Sequence, residues 1–142
     1  MNTTFVDGVT PIVAAWLNDV NAATYAKQSG SVVLSASGFA SPTSVTVNYS
    51  VSGGGIATLD IQNILGASNS NDLVLSALPA VATPVSAKDV QCLSVDASNP
   101  FGAYLTVNVD GTITVHRDVT GNPFNVFGNK GLKPIVFSYN LN

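Results

Sequence analysis

The chain has 142 residues, enough for one domain with a core of its own, yet only 9% of them are charged, against about 25% in an average soluble domain. Its formal net charge is −3, and Lys27, Lys88, Arg117, Lys130 and Lys133 stand singly, which excludes the basic stripe that a nucleic-acid binder needs. Glutamate is absent, and there is one histidine and one cysteine, so intrachain disulfides, multi-histidine zinc sites and Glu–His pairs are excluded as well. Such a composition suits a subunit that works assembled, although a Ser/Thr/Asn-rich surface accounts for it equally well. The opening MNTTFVDG carries neither the basic region nor the apolar run of a secretory signal. The longest apolar block, Ile12 to Leu17, is far too short to span a bilayer, so no membrane insertion is expected.

In chain order, the first expected element is a helix from Pro11 to about Ala26. Thr10 supplies a hydroxyl N-cap, and Pro11 sits at the first helical position, where its missing N–H costs nothing. Ile12, Trp16, Val20 and Ala23 form one apolar stripe, with Val13 and Leu17 beside it, and Gln28-Ser29-Gly30 is the expected stop. That stripe must be buried against the chain's own body, a sister copy or a foreign surface. The expected domains are therefore an anchoring segment at 1–30, a linker at 31–43 with one strand-like patch from Val32 to Leu34, and a β domain at 44–142.

Within that domain the expected strands are 44–51, 56–64, 72–77, 89–96, 102–109, 112–118 and 133–141. Val45, Val47, Tyr49 and Val51 alternate with polar residues, Gly53 to Gly55 turn the chain, and Ala57, Leu59 and Ile61 resume the alternation. Pro79 and Pro84 bracket a segment that cannot be a central strand. Gly128-Asn129-Lys130-Gly131 reads as a turn before a last strand with Ile135, Phe137, Tyr139 and Leu141 on one face. The expected fold is an all-β, antiparallel, jelly-roll-like β-sandwich preceded by one N-terminal α-helix.

One hairpin can be read to its register. A two-residue Asp110-Gly111 turn would pair Leu105 with His116, apolar against polar. A three-residue loop, Val109-Asp110-Gly111, pairs Val107 with Ile113 and Leu105 with Val115, and so keeps one face apolar. That choice requires Gly111 to be left-handed and puts His116 across from Tyr104 on the outer face.

The chain offers little for chemistry. His116-Arg117-Asp118 alternate in direction along a strand, so no catalytic residue is expected. Cys92, among Val90, Leu93 and Val95, reads as a small buried hydrophobe. Asp72 in the ASNSND loop lacks the acidic density of a calcium loop, so no metal or cofactor is expected. Asn48-Tyr49-Ser50 fits a glycosylation sequon, which has no weight without a secretory signal. Tyr104 and His116, with Thr106 beside them, are the candidate ligand-binding residues. A ring and hydrogen-bonding groups suit a sugar face, and they suit a contact between subunits as well.

Two stretches together resemble known proteins. TTFVDGVTPIVAAWLNDVNAATY is similar to the opening segment of bacteriophage tail-fibre and tailspike proteins. The body resembles a C-terminal β-sandwich module of phage fibres through Tyr49, Gly53 to Gly55, Gly66-Ala67-Ser68-Asn69, Leu78-Pro79, Lys130-Gly131 and Phe137-Ser138-Tyr139-Asn140-Leu141. The resemblance implies a non-enzymatic virion structural protein, a homotrimer. Phe5, Ile12, Val13, Trp16, Leu17, Val20 and Tyr25 would dock it to tail, neck or capsid proteins of the particle. The chain departs from ordinary fibres in having no collagen-like repeats, heptads or β-helix between anchor and body. That departure weighs against long-range host attachment: a compact anchor and knob would equally decorate the capsid or plug a tail junction, with a receptor-binding module for a host surface glycan as the alternative.

Overall fold

The computed structural model describes residues 28–142. The expected helix at 11–26 and the docking residues Phe5, Ile12, Val13, Trp16, Leu17, Val20 and Tyr25 lie outside the described residues.

The described chain is antiparallel β throughout, apart from one 3₁₀ turn at Ala80–Ala82. Its strands are β1 Gln28–Ala36, β2 Thr43–Val51, β3 Ile56–Ile61, β4 Ile64–Ala67, β5 Val74–Leu75, β6 Lys88–Asp96, β7 Asn99–Val107, β8 Ile113–Val115, β9 Asn129–Leu132 and β10 Ile135–Asn140. They form one ten-stranded sheet in the order β10-β3-β2-β1-β5-β8-β7-β6-β9-β4. This corrects the expected pair of separate facing sheets. Two short ladders make the sheet continuous: Ala36↔Leu75 joins β1 to β5, and Ser94↔Leu132 with Val95↔Gly131 joins β6 to β9.

The sheet curls because its ends share a ribbon. Ile61 pairs with Ile135 in β3–β10, and Ile64 pairs with Leu132 in β4–β9. The steps through 62–63 and 133–134 are equal, so the register survives the bend. One strand pair thus begins at one end of the sheet and finishes at the other, enclosing a single core. Val47, Leu59, Ile61, Leu73, Leu75, Leu105, Val107, Ile113 and Leu132 are fully buried in it. Each such side chain contributes about 1.5–3 kcal/mol relative to exposure.

The alternations read from sequence fall where expected in β2, β3 and β10. Val45, Val47 and Val51 face inward, as do Ala57, Leu59 and Ile61, and Phe137 and Tyr139. The Tyr139 hydroxyl donates to the Ala82 carbonyl at 2.5 Å, pinning the Pro79–Pro84 segment over the open side of the core, and burial pushes its phenol up to about 12. The β7–β8 hairpin has the expected register, Leu105↔Val115 and Val107↔Ile113, with Gly111 at φ +85°.

Several segments differ from expectation. The strand expected over 56–64 breaks at 62–63 into β3 and β4, and the one expected over 112–118 ends at Val115, so His116, Arg117 and Asp118 follow it outside the strand. β1 extends the strand-like patch at Val32 to Leu34 over residues read as a helix stop and a linker, through an unbroken ladder to β2 in which Gly30 lies under the Tyr49 ring. A Cβ there would sit 2.7 Å from the Tyr49 hydroxyl, so the tyrosine needs glycine opposite it. The Asn129–Gly131 stretch, expected as a turn, is most of β9, and its Lys130 points inward with Leu132.

Candidate functional site

The β7–β8 register carries Tyr104 and His116 to one spot on the outer face. The His116 amide donates to the Tyr104 carbonyl at 2.9 Å, and the two rings stack with centroids 4.0 Å apart and planes 19° apart. Thr106, one outward position along β7, lies opposite Asp89 of β6. Its hydroxyl is 2.6 Å from the Asp89 carboxylate and 3.3 Å from His116 Nε2. A carboxylate only accepts, so the single hydroxyl proton goes to Asp89 and the oxygen accepts from Nε2–H of His116. The imidazole is thereby fixed in orientation. Its neighbouring hydroxyl is committed to Asp89, so the pair is placed for stacking and hydrogen bonding.

Beside the pair opens a cleft of about 190 Å³, lined by Asn71, Asp72, Leu73, Thr114, Val115, His116, Arg117, Gly121, Asn122, Pro123 and Phe124. Its rim is a loop organised by Asp118. One carboxylate oxygen accepts from the Thr120 amide at 3.0 Å, the Thr120 hydroxyl at 2.7 Å and the Asn122 amide at 3.2 Å, while the other accepts from Asn122 Nδ2 at 2.9 Å. The Thr120 hydroxyl, then Asn122, hold this carboxyl well below the usual carboxylate range. The cleft floor is Phe124, whose amide donates to the Asn71 carbonyl at 3.1 Å and whose carbonyl accepts from Asn71 Nδ2 at 2.8 Å.

Two buried ionic groups hold these loops to the sheet. Asp96, 1% exposed at the end of β6, accepts from the Asn125 amide at 3.0 Å and from Asn125 Nδ2 at 2.7 Å. Arg117 Nε lies 2.7 Å from the same carboxylate, with its guanidinium 4.8 Å from the Phe101 ring centroid. Lys130 is completely buried. Its Nζ donates to the Ser70 carbonyl at 2.9 Å and to the Asp72 carbonyl, between the rings of Phe39 and Phe124 at 5.6 Å each. Loss of water lowers the pKa of this amine, against the opposing pull of Asp72 and Asp96.

Of the candidates from sequence, Tyr104, His116 and Thr106 are brought together as expected. Cys92 is partly buried against the core, and burial pushes its thiol up to about 11, which disfavours the reactive thiolate. Sequence reading missed Arg117, Asn71, Asn122 and Lys130. The Asp118-x-Thr120-x-Asn122 spacing is a legible Asx-turn signal, whereas nothing local marks Lys130 as buried. Among the described residues no three metal-ligating side chains cluster, and no helix is long and apolar enough to cross a membrane.

No protein-family model and no curated protein matches this chain. Among solved structures it is similar to the reovirus attachment protein sigma1, solved in complex with alpha-2,3-sialyllactose. The identity is 15% and the TM-score 0.47, over 86% of this chain and 69% of that one.

Proposed function

We propose that this chain is a non-enzymatic structural component of a phage virion, docked to tail, neck or capsid through its N-terminal segment and projecting the β body. The observation that carries the reading is where the residues of the phage-fibre pattern sit. Tyr49 covers Gly30, Lys130 ties β9 to the 70–72 loop, and Tyr139 holds the Ala80–Ala82 turn. The shared pattern is thus a recipe for the body, as expected of a module repeated among appendage proteins. Leu65, Leu93, Val126, Phe127 and Val136 are each about half or more exposed, which supports a body that meets other subunits. Three copies is the number that the sequence resemblance implies. Trp16→Asp in the full chain tests the docking half of the reading. Undiminished recovery of that variant on particles would remove it.

A second reading is favoured by the Tyr104–His116 pair. A stacked aromatic wall beside a cleft of about 190 Å³ rimmed by amides and hydroxyls suits one ring of a host surface glycan. Binding on a glycan array, abolished by Tyr104→Ala with the thermal transition unchanged, is the expected result. A blank array for the parent protein would leave the architectural role alone.

A further inference from the structure

We propose that β1 of one chain pairs antiparallel with β1 of a second copy, about a two-fold axis passing beside Ser31. The argument starts from hydrogen-bond direction. The β1–β2 ladder is unbroken from Gln28↔Val51 to Ala36↔Thr43, so successive residues of β1 aim their N–H and C=O to opposite sides. Ser35 and Ser37 give the sense: the Ser35 carbonyl accepts from the Ser76 amide and the Ser37 amide donates to the Val74 carbonyl, both toward the β5 side. By the same alternation Ser29, Ser31 and Val33 aim their backbone groups that way, but β5 meets β1 only at Ala36↔Leu75. No described residue bonds these groups. All three residues are exposed, Val33 at 65%.

Three other edges of the sheet carry protection. β7 contains Pro100, and the Tyr104 carbonyl is taken by the His116 amide. β10 is entered through Pro134, and the chain just beyond it is held where the Val85 amide donates to the Leu141 carbonyl. The β4 edge is closed where the Ala40 amide donates to the Ala67 carbonyl. β1, QSGSVVLSA, has no charge, no proline and no bulge, which are the devices that normally deter strand addition.

The edge is also self-complementary. Centred on Ser31, antiparallel pairing sets Ser31 opposite its own copy and Ser29 opposite Val33 of the second chain, so each outward N–H meets a C=O and the reverse. Nothing charged crosses the axis. Occupation by the chain's own preceding residues is the alternative that amide exchange separates. The contact is independent of both the docking segment and the glycan cleft.

The full chain is tested by mass in solution and by substitution at the axis. A two-fold contact makes a dimer of a monomer and a hexamer of a trimer, so the expected copy number is even. Ser31→Lys places two like charges directly opposite each other and should halve the mass while leaving the far-ultraviolet spectrum unchanged. Ser31→Cys should form a disulfide between chains on oxidation, because opposed Cα atoms in such a pair are about 5.5 Å apart. One or three copies for the parent, an even mass that survives Ser31→Lys, or no cross-link in the Ser31→Cys protein would each overturn the proposal. So would a single copy with slow amide exchange at Ser29, Ser31 and Val33, since that places the chain's own strand on the edge.

Discussion

Replacing Lys130 by methionine isolates the contribution of its amine, because methionine has similar length and adapts its shape to the space between Phe39 and Phe124. The substitution removes two charge-assisted bonds, to the Ser70 and Asp72 carbonyls, at about 1.5–3 kcal/mol each. It also removes two cation–π contacts, about 0.5–1 kcal/mol each at this distance. Against that gross loss of about 4–8 kcal/mol stands the desolvation that the buried ammonium no longer suffers, several kcal/mol for one ion. The expected net destabilisation is about 1–3 kcal/mol. Lys130→Ala should lose about 2 kcal/mol more, for the methylenes that methionine keeps. Urea unfolding measures both, and amide exchange at 68–72 should quicken in both. A Lys130→Met protein as stable as the parent, with exchange unchanged, would refute the claim that the amine holds the loop to the sheet.

Gly111→Val should cost about 2–4 kcal/mol, from a β-branched residue at φ +85° and a Cβ 2.8 Å from the Thr83 hydroxyl; an unchanged melting temperature would refute the strain. Asp96→Ala strands Arg117 and Asn125 and should destabilise by about 2–4 kcal/mol in urea, less than a fully enclosed pair because the Arg117 side chain is 27% exposed. Cys92 should resist iodoacetamide in the native state near neutral pH, with labelling rising only toward its raised pKa of about 11. The sign for stability follows. A folded pKa above the unfolded value gives stabilisation that is complete below about pH 9 and lost as pH climbs through about 11, and Cys92→Ser should flatten that fall.

What was legible in the sequence was whatever alternates strictly. β2, β3, β10 and the β7–β8 register follow from period-two patterns that put large apolar side chains on one parity. Of β1 only the patch at Val32 to Leu34 was legible, because those two residues alone carry its inward face near the middle and Gly30 is there for a tyrosine of the next strand. β9 reads as a turn because glycine and lysine are turn and surface residues by habit. Here one lies against the Ile64 backbone and the other is a buried cation. The β6–β7 turn has no glycine either: Ala97 and Ser98 both take positive φ, 46° and 67°. The continuity of the sheet rests on ladders of one or two residue pairs between strands distant in sequence, which leave no local trace. In the candidate site the aromatic pair was legible from register alone, while its ionic supports depend on which loops the fold brings together.

Those supports change the meaning of the chain's low charge. Lys130, Arg117, Asp96 and Asp118 are committed to carbonyls, amides or one another at the loop end of the sheet. In a protein with so few ionic groups, much of the charge therefore fixes backbone, and less is left for solubility. The outward face is largely hydroxyl, amide and exposed apolar side chain, which carry no net charge for salt to screen. Both contacts argued above, a strand edge without charge and a cleft rimmed by amides, draw on that surface. Contacts of the two kinds proposed would draw selectivity from hydrogen-bond geometry rather than from charge. The buried Lys130 and Asp96 hold the backbone at Ser70 and Asn125, next to the cleft that His116 lines.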